Sequence, residues 1–330
     1  MEVIHKKCAG LDVHKEMIAA SVRVAVGRKV RREVRTFGAT TSELMALSDW
    51  LTEHEVTHVA MEATGAYWKP VWHVLEGSFD LVLANAMHIR NVPGRKTDVN
   101  DAAWISDLLA HGLIRASFVP PTTIQELRAL TRTRKQLSRE VTQHTQRIQK
   151  VLEDANLKVA GIVSDILGVS GRAMIEAIIA GESDPEKLAA LADGRLRAPR
   201  EQLVEALRGR IQPHHRTLLQ LHLELVDAVE RAIARIEGQV EVLLKSQEAI
   251  IEHLSTTPGV STTVAQIVIA EVGTDMTRFP TPGNLISWAG MCPGMNESAG
   301  KKKSSRLRQG SPWLRTALVQ AAWAATRKKD

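Results

Sequence analysis

At 330 residues and 44% hydrophobic side chains, the chain can bury a sizeable core and is long enough for two or three domains. No run approaches the roughly 20 apolar residues that span a bilayer, Met1 to Lys7 lack the hydrophobic stretch of a signal peptide, and Cys8 and Cys292 have no CxxC spacing. A membrane span, a disulfide framework and a cysteine-rich zinc site are therefore not expected, a reducing cytoplasm is, and the formal charge of +6 is compatible with a nucleic-acid partner.

Lys7 to Val13 reads as a buried strand, and Met17 to Val26 and Val30 to Phe37 read as two more, joined by a turn around Gly27. Thr40 and Glu43 have capping-box spacing ahead of an apolar-periodic helix through Trp50 and Leu51. Thr57 to Glu62 is a short strand ending at the Gly65 turn, a helix follows from about Ala66 to Leu75, and Asp80 to Ala84 is a further strand. After the Pro93-Gly94 loop, a helix is predicted from about Asp98 to Gly112, which makes the order β-β-β-α-β-α-β-α.

Pro120-Pro121 closes this region, because paired prolines cannot continue a helix. Thr123 to Asn156 has no Gly or Pro and reads as a long helix of coiled-coil type, Gly161 to Pro213 as short helices, and Leu218 to Leu254 as a second long helix. Two such helices can pair as an antiparallel hairpin or dimerise. Thr257-Pro258-Gly259-Val260 then leads into an apolar helix from Thr262 to Val272, in the manner of a helix-hairpin-helix turn or of a simple turn before a core helix. Trp288, Trp313 and Trp323 are expected on apolar faces. From Thr256 to Asp330 there are ten Lys/Arg against four acids, which accounts for the whole basic surplus, as in a protein gripping phosphates with one domain.

Four carboxylates occupy places that matter for chemistry. Asp12 ends the first strand, Glu62 ends the fourth, and Asp98 and Asp101 lie three apart at a helix start, on one helix face. Each alone has an ordinary reading as a strand end, a turn residue or a helix cap. Together, if the first and fourth strands are neighbours, they form a ring, and two carboxylates about 4 Å apart repel by roughly 4 kcal/mol at an effective dielectric near 20, so four require a cation. An oxygen-only ligand set favours Mg²⁺ or Mn²⁺ over zinc, and such sites serve phosphoryl transfer. His14, beside Asp12, reads as an exposed loop histidine.

The segments GLDVHK (10–15), AMEATGAYW (60–68), GRKTDVNDAAWISDLL (94–109) and WAGMCPGMNESAGKKKSSRLRQGSPWLRTALVQAAW (288–323) together resemble the DEDD transposases of bacterial insertion sequences, the one-ten family of RNA-guided serine recombinases. The resemblance implies an α/β RNase H-like (RuvC-like) domain over 1–121, a helical coiled-coil or oligomerisation region over 122–255, and a mainly α C-terminal transposase domain over 256–330. It further implies that Asp12, Glu62, Asp98 and Asp101 are the catalytic metal-binding tetrad, that a C-terminal serine is the nucleophile, and that a structured non-coding (bridge) RNA pairs with donor and target DNA in a homo-oligomer, dimer or tetramer, in the bacterial cytoplasm. Ser298 in ESAGK matches the serine best, with Ser304 and Ser305 as alternatives. Ala299-Gly300 let a DNA backbone come close, and Lys301, Lys302, Lys303, Arg306, Arg308 and Arg315 are expected phosphate contacts. A metal-dependent nuclease or resolvase that uses water as nucleophile is the alternative. An actin-like ATPase, which GLDVHK also fits, would need a later DxGG-type phosphate loop that this sequence lacks, and a non-catalytic nucleic-acid-binding protein would not need Asp12. The sequence ends at Arg327-Lys328-Lys329-Asp330, directly after an apolar helix, earlier than many relatives, as a short member or a truncated chain would.

Overall fold

The computed structural model describes residues 2–27, 29–62, 65–85, 89, 101–193, 198–293, 296–298, 300–305, 307 and 310–327, with 296–298, 302 and 303 described by their backbone alone. It comprises two compact units, Met1–Val119 and Pro120–Asp330.

The first unit runs β1 (Lys7–Val13), β2 (Met17–Val26), β3 (Lys29–Gly38), α1 (Thr41–Glu53), β4 (His58–Glu62), α2 (Trp68–Leu75), β5 (Asp80–Ala84) and α3 (Asp101–Ala110). The sheet order is β3-β2-β1-β4-β5; β1, β2 and β3 form an antiparallel meander, and β4 and β5 run parallel to β1. This order and these directions are those of the RNase H-like fold that the resemblance implies. Side chains alternate across a pleated strand. In β1, Ala9, Leu11 and Val13 accordingly enter a core with Leu47, Leu51 and Leu75 from α1 and α2, whereas Cys8 enters a second core with Ile105, Leu108 and Leu109 from α3. Helices thus cover both faces. β3 forms one edge, and all its residues from Lys29 to Thr36 are exposed.

Two local expectations are corrected. Thr40 occupies the N-cap of α1 without a side-chain cap bond; Glu43 Oε2 instead accepts from the Gly38 N–H at 3.1 Å, so the glutamate secures the strand before the helix rather than closing a capping box. The helix expected from Asp98 to Gly112 is described from Asp101 and ends at Ala110, with Gly112 at φ +66° turning the chain where glycine is unstrained, while Asp98 and the Pro93-Gly94 loop lie outside the described residues.

In the second unit the long helix α4 (Thr122–Asp154) is followed by α5 (Val169–Ile179), α6 (Pro185–Ala189), α7 (Arg200–Ala206) and a second long helix, α8 (Pro213–Leu244). Leu127 near the start of α4 shares a core with Val240 and Leu244 near the end of α8, and Ile148 and Leu152 share another with Leu219 and Leu223, so the two helices pack antiparallel within the chain. The single helix expected over Leu218 to Leu254 is broken by a 3-10 turn at Lys245–Gln247, after which comes α9 (Glu248–Ser255). The break lets Ile251 and Leu254 of α9 join Leu244 and Ile269 in one apolar cluster, which a straight continuation would leave behind.

The chain then forms α10 (Thr262–Val272), α11 (Pro282–Trp288), β6 (Asn296–Ser298), β7 (Lys301–Ser304) and α12 (Pro312–Ala325). A buried ionic network ties α4, α10 and α12 together: Arg132 makes paired bonds of 2.7 and 2.8 Å to Glu271, which is 1% exposed, and Ser311 Oγ at the N-cap of α12 donates to the same carboxylate at 2.8 Å. Arg128 donates to the Ala270 and Glu271 carbonyls, supplying a cation where the α10 dipole is negative. Trp313 lies half-buried with Arg132 and Arg139 over its ring, and Trp288 packs edge-on against Phe279. Trp323, expected on an apolar face, is 67% exposed, because the core face of α12 is formed by Leu314, Ala317 and Ala321.

Candidate active site

Register places two acids side by side. Leu11 of β1 is paired with Met61 of the parallel β4, so Asp12 and Glu62, the next residue of each, stand at the C-terminal ends of neighbouring strands. The mouth formed by such ends is where open α/β sheets hold their ligands. Cys8 and Ala60 lie in the core under α3, and the pleat period of two puts Asp12 and Glu62 on that same face.

Gly10 brings the third acid in. A Cβ on Gly10 would collide with the Ala102 carbonyl oxygen and the Ser106 amide nitrogen, so the helix backbone of α3 rests directly on β1, two residues short of Asp12. Asp101 is the first residue of α3, next to Ala102. A clamp on the next turns of the helix holds this contact: Arg23 of β2, 3% exposed, donates to Asp107 Oδ1 at 2.9 Å, and Arg32 of β3 bonds both oxygens of the same carboxylate. Sequence reasoning missed this clamp. Its signal was a single arginine at an inward position of the apolar strand MIAASVRVAV. Burial beside the clamp pushes the Cys8 thiol up to about 11, which leaves it an inert packing group.

Asp12 is one-fifth exposed and its Oδ2 lies 3.1 Å from Nε2 of His14, an exposed residue of the turn into β2. Glu62 is half-buried and Asp101 exposed. Asp12, Glu62 and Asp101 are not among the groups whose potential ligand atoms all lie within 4.8 Å of one another, and Asp98, the fourth acid of the expected ring, lies outside the described residues. The donors these acids offer are all oxygen, the chemistry that hard divalent cations take.

Among the described residues, the three-residue group whose potential ligand atoms do converge within 4.8 Å is Asp154, His214 and His215, where α4 ends and α8 begins. His215 Nδ1 accepts the Gln212 N–H at 3.1 Å, so its Nε2 carries the proton and donates to Asp154 at 2.9 Å. Both ring nitrogens are thereby used, and the group is a staple between helix ends rather than a set of free lone pairs.

β6 and β7 form a hairpin that was not anticipated. Ser298 is the Cα partner of Lys301, Glu297 of Lys302 and Asn296 of Ser304, and Gly300 at φ +73° makes the turn. Ser298 therefore closes the strand at the hairpin tip, directly across from the first lysine. Lys301 and Ser305 are exposed, Ser304 is half-buried, and Arg315 is half-buried on the first turn of α12. The side chains of Ser298, Lys302 and Lys303, and Arg306 and Arg308 altogether, lie outside what is described. No described helix is long and apolar enough to cross a membrane.

Two family profiles match. One, described as a transposase and of DEDD type, matches residues 9–157, and the other, described as the transposase IS116/IS110/IS902 family, matches residues 251–330. No curated protein matches the chain. A solved structure of RuvC from Thermus thermophilus aligns at 13% identity with a TM-score of 0.27, over 34% of this chain and 99% of that one. With an RNase H-like sheet that presents two acids of the first matched segment at adjacent strand ends, and a basic helical tail spanning the second, the chain belongs to the IS116/IS110/IS902 family of transposases, enzymes that cut DNA.

Proposed function

We propose that this transposase cuts and rejoins DNA through a serine-linked intermediate, with the acids at the sheet end supporting the phosphoryl transfer. The observation that carries the acid half is the pairing of Asp12 and Glu62 at adjacent strand ends on the face that α3 covers. Asp12, Glu62, Asp98 and Asp101 would hold Mg²⁺ or Mn²⁺, which matches their all-oxygen donor set. A bound divalent ion at such a site supplies Lewis-acid stabilisation of charge on phosphoryl oxygens. Ser298 is the nucleophile: its hydroxyl oxygen bonds to phosphorus as a bridging P–O bond of the DNA breaks, its proton leaves to solvent, and the released strand end takes one up. Attack by a strand hydroxyl on the phosphoserine then rejoins DNA and restores the serine. Lys301, Lys302, Lys303, Arg306, Arg308 and Arg315 bind the phosphates.

A structured guide RNA, donor and target DNA, and a dimeric or tetrameric assembly complete this reading. So does a division of labour in which 1–121 carries the acids, 122–255 assembles the subunits and 256–330 carries the serine. Direct hydrolysis by an activated water is the competing mechanism, since the acid group serves it equally well.

The test uses suicide DNA substrates with the full chain and its co-purifying nucleic acid. Ser298→Ala is expected to abolish covalent protein–DNA adducts while leaving nucleic-acid binding intact, and Asp12→Ala to reduce strand cleavage by at least about 100-fold. Adducts that persist in Ser298→Ala refute the nucleophile, cleavage without any adduct in the parent protein favours water, and undiminished cleavage in Asp12→Ala refutes the acid site. Sequencing the co-purified nucleic acid tests the guide: one structured RNA supports it, and a random mixture refutes it.

A further inference from the structure

An open cleft of about 500 Å³ lies within the second unit, between α4, the turn ahead of α10, and α12. Arg134 and Lys135 line it from α4, Ser261 and Thr263 from the start of α10, and Gln320 and Ala324 from α12. Its wall from α4 is polar and cationic, that from the start of α10 sets Ser261 and Thr263 beside Val264 and Ile267, and that from α12 is small apart from Gln320.

Arg134 is the unusual member. It is only 6% exposed, its Nη1 donates to Gln266 Oε1 at 2.8 Å, and its Nη2 has no partner among the described residues. A buried guanidinium whose bonded partner is a neutral amide is costly unless an anion joins it. Burial also depresses its pKa, and Glu237, an exposed carboxylate on the rim of the same cleft, offsets this only in part.

The second observation is independent of the first. α10 is 11 residues long and opens onto this cleft, with Ser261 as N-cap accepting from the Val264 N–H, which leaves the Thr262 and Thr263 amides at the positive end of the helix dipole. Gly259, at φ +83°, lets the preceding turn press against the α12 backbone, where a Cβ would strike the Ala321 carbonyl oxygen, and so fixes the helix start against this wall. A buried cation short of a partner and a helix N-terminus therefore converge on one open space, and anions bind at such places.

We propose that this cleft binds a phosphodiester group of the nucleic acid strand that the transposase handles, with Arg134, Lys135 and the first turn of α10 as its receptors. The strand is favoured over a free phosphate because the cleft is open to solvent and far roomier than a single phosphate group. The proposal rests on the reading of the chain as a nucleic-acid-processing enzyme, and adds a backbone-gripping site built from residues other than those of the basic hairpin.

Arg134 is buried, so its replacement risks the fold. The test instead uses the full chain carrying Lys135→Gln or Gln320→Glu, the latter placing a negative charge in the cleft on an exposed helix position without a change of shape. Binding of a fluorescent single-stranded or duplex oligonucleotide of arbitrary sequence is measured by anisotropy across a salt series. Each variant is expected to weaken binding about five- to tenfold at moderate salt, and Lys135→Gln to lower the salt slope by about one. Unchanged affinity and slope in both overturn the proposal. So does a loss of stabilisation by inorganic phosphate in a thermal melt with oligonucleotide binding intact, which would assign the cleft to a free anion. Asp12→Ala, carried in parallel, separates the two ideas: normal binding with lost cleavage there, beside normal binding in the cleft variants, removes this inference alone, whereas weakened cleft variants beside full Asp12→Ala cleavage remove the acid-site reading alone.

Discussion

Single residues carry both the legible and the hidden parts of this chain. Asp12 and Glu62 could be read in sequence because each ends an apolar strand, and strand parity then fixes their face. Arg23 and Asp107 could not be paired, because they lie 84 residues apart and only the folded sheet brings them together. The same holds for His144 of α4 and His222 of α8, whose Nδ1 atoms stand 3.2 Å apart across the helix pair. Burial first, then the His144 ring and Arg147, hold His222 below its ordinary value of 6.5. The folded protein therefore resists a proton that the unfolded chain accepts, so the pair costs stability as pH falls through 6.5, and the cost levels off below the folded pKa. Thermal melts between about pH 7.5 and pH 5.5 are expected to show a falling midpoint, and His222→Gln to remove part of that fall. An equal fall in the variant would assign the pH dependence to other groups.

At the scale of elements, the sheet was legible nearly strand by strand, since alternation and turn glycines are local signals. The break at Lys245–Gln247 was not, because the periodicity of apolar residues runs on through it and the reason for bending, burial of Ile251 and Leu254 beside Ile269, comes from a later helix. The β6–β7 hairpin was hidden by its composition: lysines and serines read as a loop, and the strands are short. The seating of α3 on β1 is the element contact with the clearest consequence. Gly10→Val should force the two backbones apart, destabilising the protein by about 1–3 kcal/mol or more by overpacking. Because Asp101 rides on the displaced helix, cleavage is expected to fall further than the lost stability accounts for. Measuring both chemical denaturation and cleavage at a temperature where the variant remains folded checks this, and full activity in a folded Gly10→Val would show that the helix position is not needed.

For the whole molecule, the two units differ in what holds them. Met1–Val119 contains its own cores on both faces of one sheet, whereas Pro120–Asp330 joins an antiparallel helix pair to its tail through Arg132, Glu271 and Ser311. That long-range network, which spans 139 residues between Arg132 and Glu271, carried no sequence signal beyond a glutamate inside an apolar helix. A fragment of residues 1–119 is expected to unfold cooperatively by itself, and calorimetry of the full chain to require more than one transition. A fragment that melts without cooperativity would show that its cores are insufficient alone. The edge strand β3 bears on how such a protein survives at high concentration. Ten residues long, it could template pairing with strands of other molecules, yet Lys29, Arg31 and Arg35 outnumber its one acid, Glu33, and leave it net positive even with Arg32 held by Asp107. Copies approaching edge to edge would meet mutual repulsion before any ladder could form, so the strand that completes the sheet also guards the chain against aggregation.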